Sequence, residues 1–202
     1  MKLYYSPGAC SLSPHIALHE AGLPFQAVMA STKTKKLADG TDYLTINAKG
    51  YVPLLELDDG ERLTEGPAIV QYIADQAPAS KLAPPAGTMA RYRLMEWLNF
   101  TTSELHKSFS PLFNPAIGED TRQVYRAKLV ERFTWVDGQL AGKTWVMGED
   151  FTVADIYLFV VAGWSGYVGV DIANLANLQA WKARVAARPA VQAAMKAEGL
   201  LK

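Results

Sequence analysis

Residues 2–22 read KLYYSPGACSLSPHIALHEAG and change character twice within a short distance. The run Lys2–Tyr5 is typical of a β-strand, and Ser6-Pro7-Gly8 breaks it. Apolar residues at 16–18 then indicate a helix, and Gly22 is placed to end that helix in a left-handed conformation. A strand that passes through a tight turn into a helix is the expected start of a β-α-β unit.

The same alternation of strands and helices continues after this stretch. Residues 25–29 form a second strand candidate and 52–57 a third. Asp58-Asp59-Gly60 predicts a turn into a further strand at 62–64. Glu65-Gly66-Pro67 then opens a helix, since proline suits the first helical turn. The predicted order is a β-α-β unit, a hairpin and a helix.

A connector rich in proline, alanine and glycine follows at residues 77–87. Beyond it the pattern is helical throughout. The predicted helices cover residues 89–109, 122–140, 152–167, 175–187 and 191–198. The sequence therefore predicts an α/β domain at 1–80 joined to an all-α domain at 81–202.

The composition is that of a folded protein and excludes several functional classes. Lys plus Arg and Asp plus Glu each number 20, so the net charge is zero, unlike that of a nucleic-acid binder or a polybasic membrane anchor. The single cysteine excludes an internal disulfide and a zinc finger. No apolar run approaches the roughly 20 residues of a membrane helix. With no signal-peptide core near the N-terminus, a cytoplasmic protein is expected.

Cys10 stands at the predicted turn between the first strand and the first helix. Backbone N–H groups and the helix dipole at such a turn favour an anion, either the Cys10 thiolate or the thiolate of a bound ligand. A lone cysteine can equally be a small buried hydrophobe. The spacing alone leaves both interpretations open.

His106 lies on the long predicted helix, where Asn99, Ser103 and His106 follow an i, i+4, i+7 spacing with Lys107 beside them. An imidazole on such a polar stripe could hold a thiolate or act as a general base. A solvated polar stripe is the structural alternative.

Two segments of the first domain could bind a peptide-like ligand. A cis bond at Val52-Pro53 would turn the Val52 backbone outward, where an extended peptide could pair with it. An ordinary proline at a strand start fits equally well. Glu65-Gly66 offers a carboxylate to an ammonium group and a backbone N–H to a carboxylate, although a helix start alone would explain it.

Two further motifs have structural interpretations. Thr152-Val153-Ala154-Asp155 is similar to a helix-start box with Asp in place of Glu. His15 and His19 are four residues apart but lack a nearby third metal ligand, so they are interpreted as surface or packing residues.

Together these motifs resemble the glutathione S-transferase family, most closely its bacterial beta class. The resemblance covers essentially the whole chain, and its marks lie at residues 6–11, 50–53, 63–69, 103–107 and 152–157. It implies a thioredoxin-like N-terminal domain, an all-α C-terminal domain and a homodimer. It also implies glutathione as a co-substrate, with no bound cofactor and no metal.

The resemblance assigns catalytic roles to two residues. Cys10 matches a cysteine close to the glutathione sulfur, and His106 matches a histidine that approaches the same sulfur from the helical domain. Val52, before the family-typical cis Pro53, is expected to pair its backbone with the cysteinyl part of glutathione.

The resemblance also assigns binding roles. Glu65 and Gly66 are expected to hold the γ-glutamyl amino and carboxylate groups, and Lys35 lies near the glycyl end. Many relatives have serine at position 66, so the missing hydroxyl predicts weaker glutathione binding. Other matching positions are Asn99, Ser103 and Lys107, while Glu104 is expected to reach the ligand of a partner subunit.

The thiol-activating group and the electrophile site are less constrained. Related classes activate the thiol with a tyrosine or a serine near the N-terminus, so Tyr4, Tyr5 and Ser11 compete with Cys10. The electrophile is expected between the domains, against apolar side chains such as Trp164.

The resemblance thus predicts a cytoplasmic detoxification enzyme that conjugates the glutathione thiolate to small hydrophobic electrophiles. Cys10-Ser11-Leu12-Ser13 has a C-x-x-S layout, so a glutathione-dependent thiol–disulfide reductase or peroxidase is the enzymatic alternative. A non-enzymatic scaffold or ligand carrier is the alternative from another class. Side-chain shape in the helical domain would decide the electrophile. The sequence leaves open whether conjugation, reduction or dehalogenation is the main reaction.

Overall fold

The computed structural model describes residues 1–201, which divide into two compact units. The first unit comprises Met1–Ala83 together with the described residues from Ala187 onward, and the second comprises Pro84–Ala186. The first unit combines a sheet with helices, and the second is mainly helical. The predicted fold class, an α/β part followed by an all-α part, is confirmed.

A mixed β-sheet forms the centre of the first unit. Its strands within residues 1–201 are β1 (Lys2–Tyr5), β2 (Gln26–Met29), β3 (Leu54–Glu56) and β4 (Arg62–Thr64). The order is β2-β1-β3-β4, in which β1 is parallel to β2, and β3 is antiparallel to both β1 and β4. Helix α1 (Leu12–Ala21) connects β1 to β2, and α2 (Gly66–Gln76) follows β4, as predicted.

Local sequence signals set the ends of these elements. Helix α1 ends at Gly22, whose φ of 65° lies in the left-handed region that glycine adopts without a Cβ clash. Strand β3 starts at Leu54 rather than at the predicted residue 52. Because Pro53 has no N–H, it cannot donate to the ladder.

The second unit contains five α-helices among its described residues. They are α3 (Met89–Phe100), α4 (Lys107–Phe113), α5 (Glu119–Leu140), α6 (Val153–Gly163) and α7 (Ala176–Ala186). None of the helices described within residues 1–201 is both long enough and apolar enough to cross a membrane.

A π-helical segment, Thr101–His106, joins α3 to α4. The uninterrupted helix predicted for 89–109 therefore changes its winding in the middle. The Thr102 hydroxyl donates to the Leu98 carbonyl at 2.8 Å, and the Ser103 hydroxyl donates to the Asn99 carbonyl at 3.1 Å. Such bonds to carbonyls four residues earlier compete with the regular helical ladder and distort it.

Helix α6 is the most deeply buried element of the second unit. Every side chain from Val153 to Ala162 is buried. At its start the Thr152 hydroxyl accepts a hydrogen bond from the Ala154 N–H, and the Asp155 carboxylate accepts one from the Thr152 N–H at 3.0 Å. The helix-start box predicted from the sequence is thus confirmed, with Asp in place of Glu.

The Asp155 carboxylate also joins α6 to other parts of the second unit. It accepts hydrogen bonds from the Val146 N–H and from the Trp181 indole N–H, both at 2.8 Å. Burial raises the pKa of this carboxyl, and the surrounding donors oppose the rise. The carboxylate therefore holds the loop before α6 and helix α7 in one place.

Helix α8 (Pro189–Ala197) belongs to the first unit and packs against α1. The sequence-based boundary placed all of 81–202 in one helical domain, so the position of α8 differs from that prediction. The reason lies in its partners. Arg188 donates to both carboxylate oxygens of Glu20 on α1, at 2.6 and 2.7 Å.

Glu198 follows α8 and is buried in the first unit. One carboxylate oxygen lies 2.8 Å from His15 Nδ1, and the other accepts the Gly8 N–H at 2.9 Å. His15 is almost fully buried, stacks on His19 and meets the Phe25 ring edge to face. His15 is therefore a packing residue.

We expect Asp155→Ala to destabilise the protein by at least about 3 kcal/mol, because several buried donors lose their acceptor and each costs about 1–3 kcal/mol. Urea unfolding followed by circular dichroism measures the loss. Asp171→Ala is the matched control, since Asp171 is exposed and accepts only a local backbone bond from Ala173 in the described structure. Equal losses in the two variants would contradict the structural role of Asp155.

We expect Glu198→Ala to cost about 2–6 kcal/mol, because the buried His15 side chain and the Gly8 N–H both lose a hydrogen-bond partner and each loss costs about 1–3 kcal/mol. Glu198→Gln should lose less, because its amide oxygen can still accept one of the two bonds. Glu61→Ala, at an exposed position of the same unit, is the control. The midpoint of urea unfolding is the measurement, and an unchanged midpoint for Glu198→Ala would refute this account.

Candidate active site

The Cys10 thiol lies in the turn that leads into α1. The side chain is partly buried, and its Sγ is 3.3 Å from the Val52 carbonyl oxygen, to which the thiol donates. The Cys10 carbonyl accepts from both the N–H and the hydroxyl of Ser13, at 3.1 and 2.7 Å. These contacts fix the thiol at the N-terminal end of the helix, where the dipole favours a nearby anion.

The residues that compete with Cys10 have other contacts. The Ser11 hydroxyl is buried, accepts the Ser6 N–H at 3.0 Å and donates to the Ser6 carbonyl at 3.2 Å. Tyr4 is a core residue whose ring packs against Tyr43. Burial, and then the negative charge of Glu198, raise the pKa of Tyr5, which disfavours a tyrosinate.

The segment before β3 has an unusual backbone. The Val52-Pro53 peptide bond is cis, and both residues lie outside the ladder that begins at Leu54. The preceding carbonyl, that of Tyr51, accepts hydrogen bonds from the Tyr43 hydroxyl at 2.9 Å and from the Asn47 amide at 2.8 Å. The segment is therefore held by side chains instead of by a neighbouring strand.

Lys35 contacts this same segment. Its Nζ donates to the Gly50 carbonyl at 2.8 Å and lies 5.8 Å from the centre of the Tyr51 ring. The Lys35 backbone is itself left-handed, with a φ of 56°. The Lys35 ammonium therefore lies beside residues 50–53, which we name the binding segment.

The start of α2 completes the set of predicted groups in the first unit. Glu65 has a φ of 69°, and its exposed carboxylate pairs with the Lys49 ammonium at 2.9 Å. A Cβ built on Gly66 would lie 4.0 Å from the Pro53 ring, so the start of α2 adjoins the binding segment. The structure thus places Cys10 at the N-terminus of α1 and Pro53 beside the N-terminus of α2.

The predicted residues of the second unit lie on and around the π segment. His106 is half-buried, whereas Asn99, Ser103 and Lys107 are exposed. Side chains at Thr102 and His106 both face the Tyr157 hydroxyl. The His106 side chain is thus in contact with α6, while the other members of the predicted polar stripe face solvent. π-helical segments, in which backbone hydrogen bonds join residues five apart, often occur at functional sites.

His106 has two aromatic neighbours in the same unit. Its Nδ1 lies 2.6 Å from the Tyr157 hydroxyl oxygen. The Trp164 ring is 4.9 Å away, centre to centre, and approaches edge to face. Trp164 is nearly buried and also contacts the rings of Phe109 and Phe113.

Glu104 forms ion pairs within its own chain. Its carboxylate accepts from Arg132 Nε at 3.0 Å and lies 3.6 Å from the Lys128 ammonium. The Arg132 hydrogen bond, with the charges of Lys128 and Arg132, holds the pKa of Glu104 below its ordinary value. An ionised carboxylate is thus fixed on the π segment.

Three contacts of this region were not predicted from the sequence. They are the pairing of Glu65 with Lys49, of His106 with Tyr157 and of Gly8 with Glu198. Lys49 immediately precedes the motif at residues 50–53, so the sequence could have indicated a cation near the predicted ligand-binding carboxylate of Glu65. Among residues 1–201, no group of three or more His, Cys, Asp or Glu side chains is arranged to hold a metal ion.

Comparison with known families gives two matches in the same order as the two units. The model of the glutathione S-transferase N-terminal domain matches residues 8–76, and that of the C-terminal domain matches residues 100–189. Glutathione S-transferase GstA of Escherichia coli O157:H7 is 46% identical over 200 residues, which are 99% of this chain and 100% of the relative.

Several solved structures are similar over nearly the full length of the chain. A bacterial beta class glutathione S-transferase of Sphingomonas chungbukensis is 50% identical with a TM-score of 0.96, and 100% of each chain is covered. A sphingomonad glutathione S-transferase complexed with glutathione is 51% identical with a TM-score of 0.96, again over 100% of each chain. The predicted resemblance to the bacterial beta class is confirmed, and the chain belongs to the glutathione S-transferase family.

Proposed function

We propose that this protein is a glutathione transferase, which conjugates the thiolate of reduced glutathione to small hydrophobic electrophiles. The observation that carries the proposal is the position of the Cys10 thiol, 3.3 Å from the Val52 carbonyl at the N-terminal turn of α1. A similar full-length structure is a complex with glutathione. Both facts support a thiol substrate in this part of the first unit.

The charges around the binding segment match those of the tripeptide. The N-terminus of α2 at Gly66 suits the γ-glutamyl carboxylate, because unpaired N–H groups and the helix dipole favour an anion. Glu65 is proposed to supply the negative charge for the adjacent ammonium, which would share the exposed carboxylate with Lys49. Lys35 supplies a positive charge for the glycyl carboxylate, and Val52 supplies backbone groups for the cysteinyl residue.

The second unit is proposed to act on the sulfur and on the electrophile. His106 is assigned to the sulfur, and Trp164 to the apolar surface for the electrophile. Asn99, Ser103, Lys107 and Glu104 remain predicted binding residues. The homodimer, the cytoplasmic location and a role in detoxification likewise remain predictions from the sequence.

Cys10 also supports a second candidate function. Its thiol is partly exposed and lies beside the segment assigned to the cysteinyl group of glutathione. A thiol in that position can attack the glutathione sulfur of a mixed disulfide between glutathione and a second thiol compound, which leaves as its thiolate while a disulfide between Cys10 and glutathione forms. Another reduced glutathione then attacks the glutathione sulfur of that disulfide, so that oxidised glutathione leaves and the Cys10 thiol is restored. Disulfide reduction at the expense of reduced glutathione is therefore the alternative to conjugation.

We expect calorimetric titration with reduced glutathione at neutral pH to show saturable binding, with one site per chain and a dissociation constant between micromolar and low millimolar. Cys10→Ala combined with His106→Ala should then slow conjugation of a chlorinated aromatic electrophile. Unchanged conjugation would remove their catalytic roles.

The same preparation distinguishes the two functions. Intact-mass analysis after treatment with oxidised glutathione should show an adduct on Cys10 if disulfide exchange occurs, and Cys10→Ser is the control. Absence of a heat of binding at glutathione concentrations up to about 10 mM would instead favour the non-enzymatic scaffold. A dissociation constant of about 10 mM corresponds to a binding free energy of only about −2.7 kcal/mol.

We expect Gly66→Ser to tighten glutathione binding roughly 5- to 30-fold, since one added hydrogen bond to a carboxylate contributes about 1–2 kcal/mol. A Cβ at this position would meet only the Pro53 ring, at an ordinary contact distance. Gly66→Ala is the matched control, because it adds the Cβ without the hydroxyl. Equal affinities for the Ser and Ala variants would show that a hydroxyl makes no contact with the ligand.

A further inference from the structure

The first unit has a cleft at the end where strand β1 begins and helices α1 and α2 finish. We propose that this cleft binds an organic ammonium ion that carries a flat apolar group, such as an aromatic ring. The site goes beyond the proposed function and does not rest on it, because it uses other residues of the unit and attracts the opposite charge.

The size of the cleft suits a small molecule. Its volume is about 780 Å³, within the range of roughly 300–1,000 Å³ that is usual for ligand sites. The lining comes from the turn after α1, the turn between β3 and β4, the last turns of α2 and the start of β1. All of these residues belong to the first unit, and none of them is assigned to glutathione.

Aromatic and aliphatic side chains form the apolar part of the cleft. Phe25 and Tyr72 line it together with Leu23, and all three are half-buried. The Phe25 ring packs nearly at right angles to the rings of His15 and His19 on α1, with centres 5.4 and 5.3 Å away. The wall is therefore held in place before a ligand binds. Aromatic rings also attract cations through their negative faces.

The polar part of the cleft is acidic. Asp58 and Asp59 both line it, and both are exposed. The Asp58 carboxylate already accepts the N-terminal ammonium of Met1 at 2.7 Å. The Asp59 carboxylate accepts the Glu61 N–H at 3.0 Å, and this bond brings no positive charge to it. Asp59 is therefore the carboxylate that is left to attract a further cation.

The helix ends add to the preference for positive charge. Leu23 follows the Gly22 residue that ends α1, and Gln76 is the last residue of α2. The C-terminal end of a helix carries the equivalent of roughly half a negative charge. The opposite ends of the same two helices hold Cys10 and Gly66, which are assigned to anionic groups. Helices α1 and α2 thus favour anions at one end and cations at the other.

An organic cation matches this lining better than a metal ion does. In the described part of the chain, residues 1–201, no three His, Cys, Asp or Glu side chains are arranged to hold a metal. The cleft instead places the Asp59 carboxylate beside the Phe25 and Tyr72 rings. A ligand that satisfies both parts needs one positive charge and an apolar body.

Two-dimensional NMR of the full chain, without glutathione and at neutral pH, tests the site with phenethylammonium as the probe. We expect saturable shifts of the backbone N–H signals of Leu23, Phe25, Leu57 and Asp59. Phenethyl alcohol has the same ring without the charge, and it should bind about three- to tenfold more weakly. Equal affinities of the two probes would overturn the proposal. So would the absence of saturable shifts, or shifts confined to the residues assigned to glutathione.

Two variants test the separate parts of the cleft. Asp59→Asn should weaken binding of phenethylammonium about two- to fivefold and leave that of phenethyl alcohol unchanged. Tyr72→Leu keeps an apolar side chain but removes the ring, and it should weaken binding of the ammonium probe about two- to fivefold.

Asp39→Asn is the matched control for Asp59→Asn. Asp39 is also exposed, and its carboxylate accepts the N–H of the residue two positions later, Thr41, at 2.9 Å. Asp39 does not line the cleft, so this variant should leave the affinity for phenethylammonium unchanged. Equal losses in the Asp39 and Asp59 variants would mean that the overall charge of the protein attracts the probe, and this result would overturn the proposal.

Discussion

A single buried carboxylate determines how the first unit is assembled around its thiol. Glu198 accepts the backbone N–H of Gly8 with one oxygen and contacts His15 with the other. A buried carboxylate is costly unless its oxygens are satisfied, so neither partner can be exchanged without loss. Gly8 stands two residues before Cys10, and His15 lies one turn into α1. The place of the thiol therefore depends on a residue that follows the last helix.

In the proposed function, helix ends bind two negative groups of glutathione, and the charged side chains of Glu65 and Lys35 bind the other charged groups. Cys10 lies at the start of α1, and Gly66 lies at the start of α2, beside Pro53. Two helix N-termini in one unit offer two places where negative charge is favoured. Glutathione presents a sulfur and a γ-glutamyl carboxylate that need such places. The neutral composition of the chain is consistent with this arrangement, because backbone dipoles add no net charge.

Features that rest on neighbouring residues could be predicted from the sequence. Gly22 ends α1, and Pro53 prevents β3 from starting before Leu54. Thr152 and Asp155 form the hydrogen bonds that start α6. Each of these effects acts between atoms that are a few residues apart. The residues of the candidate site were found because their motifs resemble those of a known family. The family was predicted from the order of several motifs, because no single spacing was specific enough.

Other features depend on residues that no local pattern connects. His106 and Tyr157 are 51 positions apart, and Gly8 and Glu198 are 190 apart. An amphipathic pattern shows that α8 is helical, but it does not show which element covers its apolar side. The π segment was missed for a related reason. The hydroxyls of Thr102 and Ser103 change the winding of a helix whose hydrophobic pattern looks continuous.

The packing of α8 on α1 also bears on the order in which the chain can fold. The second unit is continuous in sequence, whereas the first is interrupted by it. During synthesis, residues 84–186 are complete before α8 has been made, so the helical unit can form its core first. Until the chain has passed the whole second unit, α1 can pack against α2 and β1 but not against α8. Contacts between such distant segments are slow to form, because a long loop must close before they contribute any stability. We therefore expect the contacts of α8 and Glu198 with α1 and Gly8 to be among the last of the first unit to form.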